Sequence, residues 1–173
     1  MIRIRPTRTG DIALLPSIEV SAGQAFRTIP ELAWIADDDV LSEAQHQQLL
    51  RVGYCWVATD DGDQPVGFLA ARPCATALHI EELAVAGDRQ GQGIGRALMQ
   101  HVMEEARREA FAQLSLTTFR DVAWNAPFYA SLGFRTLDDS DMPELLAVIL
   151  DQEAAHGFPP RSRCAMVLPL INR

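Results

Sequence analysis

An α/β fold built on a mixed sheet of about seven strands is the class this sequence predicts. Three observations carry it. The chain has 173 residues with 48% apolar content, enough for a packed core and the usual size of one domain. Its first half alternates like paired antiparallel strands, with the Asp-Gly hairpin signal of Asp60-Asp61-Gly62-Asp63 between two apolar runs. Its second half repeats strand, helix, strand.

Taken in order, residues 2–5 (Ile2-Arg3-Ile4-Arg5) alternate as a first strand. Thr7 to Asp11 supplies a cap region, and Ile12, Leu15, Ile18 and Glu19 continue with helical spacing. Pro16 falls early enough in that helix to be tolerated. Residues 26–40 carry Pro30, Trp34 and the acidic run Asp37-Asp38-Asp39, and read as a loop or broken helix. Ser42 with Gln45 three residues later is a capping-box pattern ahead of a helix through Leu50. Residues 54–59 and 66–71 flank the hairpin turn, and 79–85 form the next strand. A long amphipathic helix covers 93–109, with Ile94, Leu98 and Val102 on one face. Strands at 113–118, 134–137 and 164–170 and helices at 126–131 and 142–156 complete the chain.

Charge and composition exclude several classes. The formal net charge of −8 argues against nucleic-acid binding, which calls for a basic patch, and fits weakly with a cationic substrate. No apolar run reaches membrane-spanning length, and the N-terminus lacks the apolar core of a signal peptide. Cys55, Cys74 and Cys164 are odd in number, far apart and without a C-x-x-C pair, so neither a disulfide framework nor a zinc site is expected. A reducing cytoplasm is the expected compartment.

The most informative segment is Arg89-Gln90-Gly91-Gln92-Gly93-Ile94-Gly95-Arg96, between the apolar run Leu83-Ala84-Val85 and the long helix. Glycines at a strand-to-helix turn let the backbone adopt positive φ and let an anion approach the free N–H groups of the first helical turn. The segment ends on Arg96 where a dinucleotide fingerprint needs its third glycine, and it lacks the lysine of a P-loop. What fits is Gln90-x-x-Gly93-x-Gly95, the [RQ]-x-x-G-x-[GA] loop that cradles the pyrophosphate of acetyl-coenzyme A. With Phe128-Tyr129-Ala130-Ser131-Leu132-Gly133-Phe134, which matches F-Y-x-x-L-G-F, the sequence resembles the GCN5-related N-acetyltransferase (GNAT) superfamily. The resemblance spans most of the chain and is sharp over residues 79–134.

That resemblance implies a twisted central sheet with helices on both faces, one acetyltransferase domain over residues 1–173, and acetyl-coenzyme A lying where the fourth and fifth strands splay apart. It implies a cofactor site made of the backbone of Leu83, Ala84 and Val85, the loop Gln90, Gly91, Gln92, Gly93, Ile94, Gly95 and Arg96, and Tyr129. Tyr129 is the implied general acid toward the leaving thiolate. Asn125 lies four residues before Tyr129, whereas many relatives carry an asparagine seven before it, where Val122 stands here; Asn125 reads equally as a helix cap or a cofactor contact.

Strand alternation places His79, Glu81, Leu83 and Val85 on one face and Ile80, Glu82 and Ala84 on the other. In the family the face of the final valine looks into the acceptor site. Glu81 is therefore the first candidate base, His79 the second and Glu82 the third; a bulge would shift the count by one, and a relayed water could replace all three. Trp34, Asp37–Asp39, Phe119, Arg120, Asp121 and Trp124 are expected around the acceptor mouth. The extra helix at 142–156 either walls the site or packs against a second copy in a homodimer. The implied function is direct acetyl transfer in a ternary complex to a primary amine of a small molecule or peptide, with no metal. The alternative is a non-catalytic acyl-coenzyme A-binding regulatory domain.

Overall fold

In the computed structural model, residues 1–170 are described, and one seven-stranded mixed sheet organises them. The strands are β1 (Arg3–Pro6), β2 (Tyr54–Thr59), β3 (Pro65–Cys74), β4 (Ala77–Val85), β5 (Gln113–Phe119), β6 (Arg135–Thr136) and β7 (Arg163–Pro169). Their order across the sheet is β1-β2-β3-β4-β5-β7-β6. All pairs are antiparallel except β4 with β5. The helices are α1 (Leu15–Gly23), α2 (Glu43–Val52), α3 (Ile94–Arg108), α4 (Ala126–Ser131) and α5 (Glu144–His156).

Strand alternation sorts the helices between two faces. Trp56, Leu69, Leu78, Leu114 and Met166 pack with Ile94, Leu98, Met99 and Val102 of α3, and with Phe128 and Tyr129 of α4. On the opposite face, Val57, Phe68 and Ala84 meet Leu15 and Ile18 of α1. His46 of α2 stacks edge-on against Phe68 there, and Leu146 of α5 packs on Ala165 and Val167. The expected mixed sheet with helices on both faces is what forms.

Local signals explain the element ends. Ser42 and Gln45 make the expected reciprocal capping box, and α2 stops at Gly53, whose φ of 98° closes the left-handed turn. Three expectations need correction. The first helix begins as a 3-10 run (Thr9–Leu14) before α1. The broken-helix segment is two 3-10 runs, Gln24–Thr28 and Pro30–Asp37, separated by extended Ile29 ahead of Pro30. The strand expected at 134–137 shrinks to two residues, because as the sheet edge it has only β7 to pair with.

The central irregularity decides where the site lies. β4 and β5 pair only from Ala77 to His79, opposite Gln113 to Ser115. Beyond that rung β4 stays with β3 and β5 stays with β7, so the sheet opens into a V. At the same level β4 carries a bulge: Ala71 pairs with Ile80 but Ala70 with Glu82, leaving Glu81 as the extra residue.

Candidate active site

The bulge reverses the expected face assignment. Leu78 and Ile80 lie in the α3-side core, and Leu83 and Val85 pack against the same core. Ala84 packs on α1. Glu82 and His79 therefore share the α1 face, and Glu82, not Glu81, stands in line with Ala84. An unbulged strand would have placed His79 with Leu83, as simple alternation required.

The V opens into one continuous cleft of about 790 Å³. Its walls include α1, β4, the glycine loop, the end of β5, α4 and α5. At one end, Gly91 and Gly93 hold φ of 75° and 80°, and Gly93 caps α3. The first intrahelical bond runs from the Ala97 N–H to the Gly93 carbonyl, so the N–H groups before it have no partner within the helix. The Gln90 side chain ties the loop to the end of β4, donating to the Val85 carbonyl at 3.1 Å. Arg96 donates to Ser131 Oγ at 2.8 Å and lies over the Phe128 ring, joining the start of α3 to α4.

A Cβ added at Gly95 would reach only 3.9 Å contacts, and at Gly93 would meet no protein atom within 4 Å. The loop is thus a bare, positively polarised cradle open to the cleft, and these residues fit an anionic diphosphate. Among the sequence-predicted cofactor residues, Leu83, Ala84, Val85, Gln90, Gly91, Gly93, Ile94, Gly95, Arg96, Asn125 and Tyr129 line the cleft, and Gln92 does not. Ala84 and Ile94 have buried side chains, so they offer backbone alone. Asn125 begins α4 without capping it through its side chain; its Oδ1 accepts from Thr118 Oγ1 at 2.9 Å and from the Phe119 N–H at 3.3 Å, pinning the end of β5.

The candidate acid–base groups sit in distinct surroundings. His79 is buried at the apex of the V with Nδ1 2.9 Å from Ser115 Oγ, and burial lowers its pKa. Glu81 is ion-paired with Arg72 on the neighbouring strand. Glu82 has no such partner. Desolvation and then the nearby charge of Glu19 push its carboxyl up to about 8, with Arg163 opposing. Tyr129 reaches the gap from α4. Burial and then the Glu82 charge raise its hydroxyl above the ordinary phenol range, keeping it protonated.

Several lining residues were not singled out for the site in the sequence: Glu19, Phe26, Glu153, Phe158 and Arg163. The Arg163 guanidinium lies against the rings of Phe119 and Phe158, 4.5 and 5.0 Å from their centroids, and Nη2 donates to Glu153 at 2.6 Å. Glu19 carried a signal: it is four residues after Leu15, on the apolar stripe of its helix. Of the expected mouth residues, Asp38, Asp39, Phe119 and Trp124 line the cleft, whereas Trp34, Asp37, Arg120 and Asp121 do not. Among the described residues no group of three or more His, Cys, Asp or Glu is placed to hold a metal, and no helix is long and apolar enough to cross a membrane.

A family model described as an acetyltransferase (GNAT) domain matches residues 51–136. The peptidyl-lysine N-acetyltransferase YjaB of Salmonella typhimurium is 30% identical over 117 residues, covering 64% of this chain and 74% of that protein. Across four further N-acetyltransferase relatives the chain spans about half to two thirds of their length. The ribosomal-protein-S18-alanine N-acetyltransferase of Escherichia coli superimposes with a TM-score of 0.72 at 21% identity, covering 100% of this chain and 96% of that one. The PaiA N-acetyltransferase of Thermoplasma acidophilum, solved with coenzyme A, superimposes at 0.71 with 15% identity, covering 98% and 99%.

Proposed function

We propose that this chain, which belongs to the GCN5-related N-acetyltransferase superfamily of acetyl-coenzyme A-dependent acyltransferases, transfers acetyl directly to a primary amine of a small molecule or peptide within a ternary complex. One observation carries the reading: the glycine cradle opens α3 on the same cleft that Glu82 and Tyr129 line from opposite faces of the sheet. The whole described chain serves as one acetyltransferase domain in this reading.

Bound acetyl-coenzyme A supplies an acetyl thioester. The backbone N–H groups opening α3 hold its diphosphate, and Arg96 adds positive charge at the rim. The edge of β4 from Leu83 to Val85, freed by the splay, offers backbone groups to the extended arm. Glu82, rather than Glu81, is the base: Glu81 is occupied by Arg72, whereas Glu82 faces the cleft with a pKa near the working range. Tyr129 stays protonated and serves as the acid for the departing thiolate. His79 orients the apex through Ser115. Direct transfer is supported by the cysteines, which lie away from the cleft lining with each thiol pushed up by burial. Peptide amines are favoured as acceptors by the name of a relative, a peptidyl-lysine N-acetyltransferase.

The test is steady-state thiol release while acetyl-coenzyme A and a primary amine are varied together. Intersecting initial-rate lines are expected. Parallel lines would indicate an acetylated enzyme, and no amine-dependent release from any member of a broad panel would leave the regulatory-domain alternative in its place.

A further inference from the structure

Six acidic residues line the cleft, and three of them are neutralised within the fold. Glu81 pairs with Arg72, Asp38 with His156 and Glu153 with Arg163. Among the described residues, Glu19, Glu82 and Asp39 form no ion pair, and Asp39 is exposed at the rim. Glu19 and Glu82 are half-buried and come from elements packed on each other: Ile18, beside Glu19, and Ala84, two residues beyond Glu82, share one apolar cluster. Glu19 is held in place by the Leu41 N–H, which lies 3.3 and 3.4 Å from its two oxygens. The two carboxylates therefore line one wall of the cleft from packed neighbouring elements, close enough for the Glu19 charge to act on Glu82, and neither is neutralised by an ion pair, Arg163 being paired with Glu153.

We infer that Glu19 and Glu82 form a two-carboxylate clamp that receives the acceptor as an ammonium ion, with Glu82 taking its proton and Glu19 positioning it. This rests on the reaction proposed above and names the charge state of its acceptor.

The protons balance. R–NH3⁺ gives one proton to the Glu82 carboxylate, leaving R–NH2 and Glu82–COOH. The nitrogen lone pair forms the new C–N bond as the C–S bond breaks. The second proton shed by nitrogen balances the one Tyr129 delivers to sulfur. The net products are R–NH–acetyl, a free thiol and one proton passed from the clamp to solvent.

The physical reason for a pair is charge matching. Burial pushes Glu19 up to about 7, and the mutual repulsion adds to the rise at Glu82. Near neutral pH the pair therefore shares protons rather than carrying two full charges. An arriving ammonium stabilises the ionised form and pulls both titrations down, so binding itself arms the base. The groups facing the pair are Arg163 from β7, which opposes the rise, Glu81 on the same strand, which adds to it, and Tyr129 from α4.

The test reads the carboxylates directly, by ¹³C NMR of glutamate-labelled full chain, with n-butylammonium chloride as the probe. Glu19→Gln should move the Glu82 titration down toward the ordinary carboxylate range. Butylammonium should draw both titrations down in the wild type, and bind Glu19→Gln about tenfold or more weakly, the size of one charged hydrogen bond. In turnover with the best amine of the panel, Glu19→Gln should raise the acceptor KM by a similar factor, with a smaller effect on kcat. Should Glu19→Gln fail to fold, Glu82→Gln read at Glu19 gives the reciprocal shift. A Glu82 titration indifferent to Glu19→Gln, or equal butylammonium binding by both proteins, would overturn the clamp. Coupled titration and ammonium binding without acetyl transfer to any amine would support the clamp and overturn the proposed reaction instead.

Discussion

Glu82 is the residue on which the proposed chemistry turns, and its position depends on a single extra residue in β4. A general base acts only when ionised, so activity must fall as pH drops through its pKa. The acidic limb of kcat/KM, which reports the free enzyme, is expected close to pH 8. Glu82→Gln should remove that limb and lower kcat/KM by about 10²–10⁴-fold, whereas Glu81→Gln, which breaks the pair with Arg72 and removes a minor charge beside Glu82, should keep the limb and move it only slightly to lower pH. A pH–rate series on both variants checks this. Tyr129→Phe should lower kcat by a comparable factor and leave acetyl-coenzyme A affinity within about twofold, measured under conditions where chemistry limits. The sequence exposed Tyr129 and the three carboxylate or imidazole candidates on β4, but not their order. Alternation has a period of two, so one inserted residue inverts every assignment after it, and no residue type announces the bulge. Glu19 was visible as a carboxylate on an apolar helical stripe; what it faced was not, since that depends on which strand α1 covers.

At the scale of elements, the loop that opens α3 separates two roles of glycine. Gly93 sits at φ 80°, so Gly93→Ala should destabilise the fold by about 1–2 kcal/mol from backbone strain, even though its Cβ would meet open space. Gly95 lies inside α3 with room for a Cβ, so Gly95→Ala should leave the melting temperature unchanged or raised by improved helix propensity. The loop pattern allows alanine at this position, so Gly95→Ala should keep acetyl-coenzyme A binding, whereas the branched side chain of Gly95→Val should stand where the diphosphate approaches and weaken binding about tenfold or more by calorimetry. Unchanged affinity in a folded Gly95→Val would mean the anion lies elsewhere. Elements with a local cause were legible in advance: the capping box of α2, the Asp-Gly hairpin between β2 and β3, and the glycine turn before α3. The pieces that were not legible draw their form from distant partners. The two 3-10 runs between α1 and α2 are held by packing of Phe26, Ile29, Leu32 and Ile35 on Phe119 and Val122, and β6 is set by what β7 leaves unpaired. The role of α5 also needed the fold: Ile149 and Glu153 wall the cleft, and Glu153 holds Arg163 against two phenylalanine rings.

Across the whole molecule, the site costs stability that pH reveals. Carboxyls with folded pKa values of about 7 and 8 bind protons more tightly folded than unfolded, where a glutamate titrates near about 4.3. The stabilisation from their protonation is complete below the unfolded pKa and is lost as pH rises through the folded values. The melting temperature should therefore decline between about pH 4.5 and 8.5 from this source, and Glu82→Gln should exceed the wild type at pH 8.5 by at least about 2 °C, the response of a chain of this size to 1 kcal/mol. The gain should vanish at pH 4. A sheet that splays between β4 and β5 brings this pair of carboxyls and the anion cradle to one opening, where the proposed binding and proton transfer take place together. Its existence followed from the order of motifs along the chain; its acidic, unpaired wall followed only from the three-dimensional pairing of Arg72, Arg163 and His156 with the neighbouring carboxylates. The most direct test of acetyl transfer at this opening is mass-resolved product formation from acetyl-coenzyme A and a panel of primary amines and amine-bearing peptides, run with wild type and Glu82→Gln side by side. Stoichiometric N-acetyl product and free thiol from the wild type, lost in a folded Glu82→Gln that still binds acetyl-coenzyme A, is the expected result; acetylation at the wild-type rate by Glu82→Gln, or none by the wild type with any amine, would contradict it.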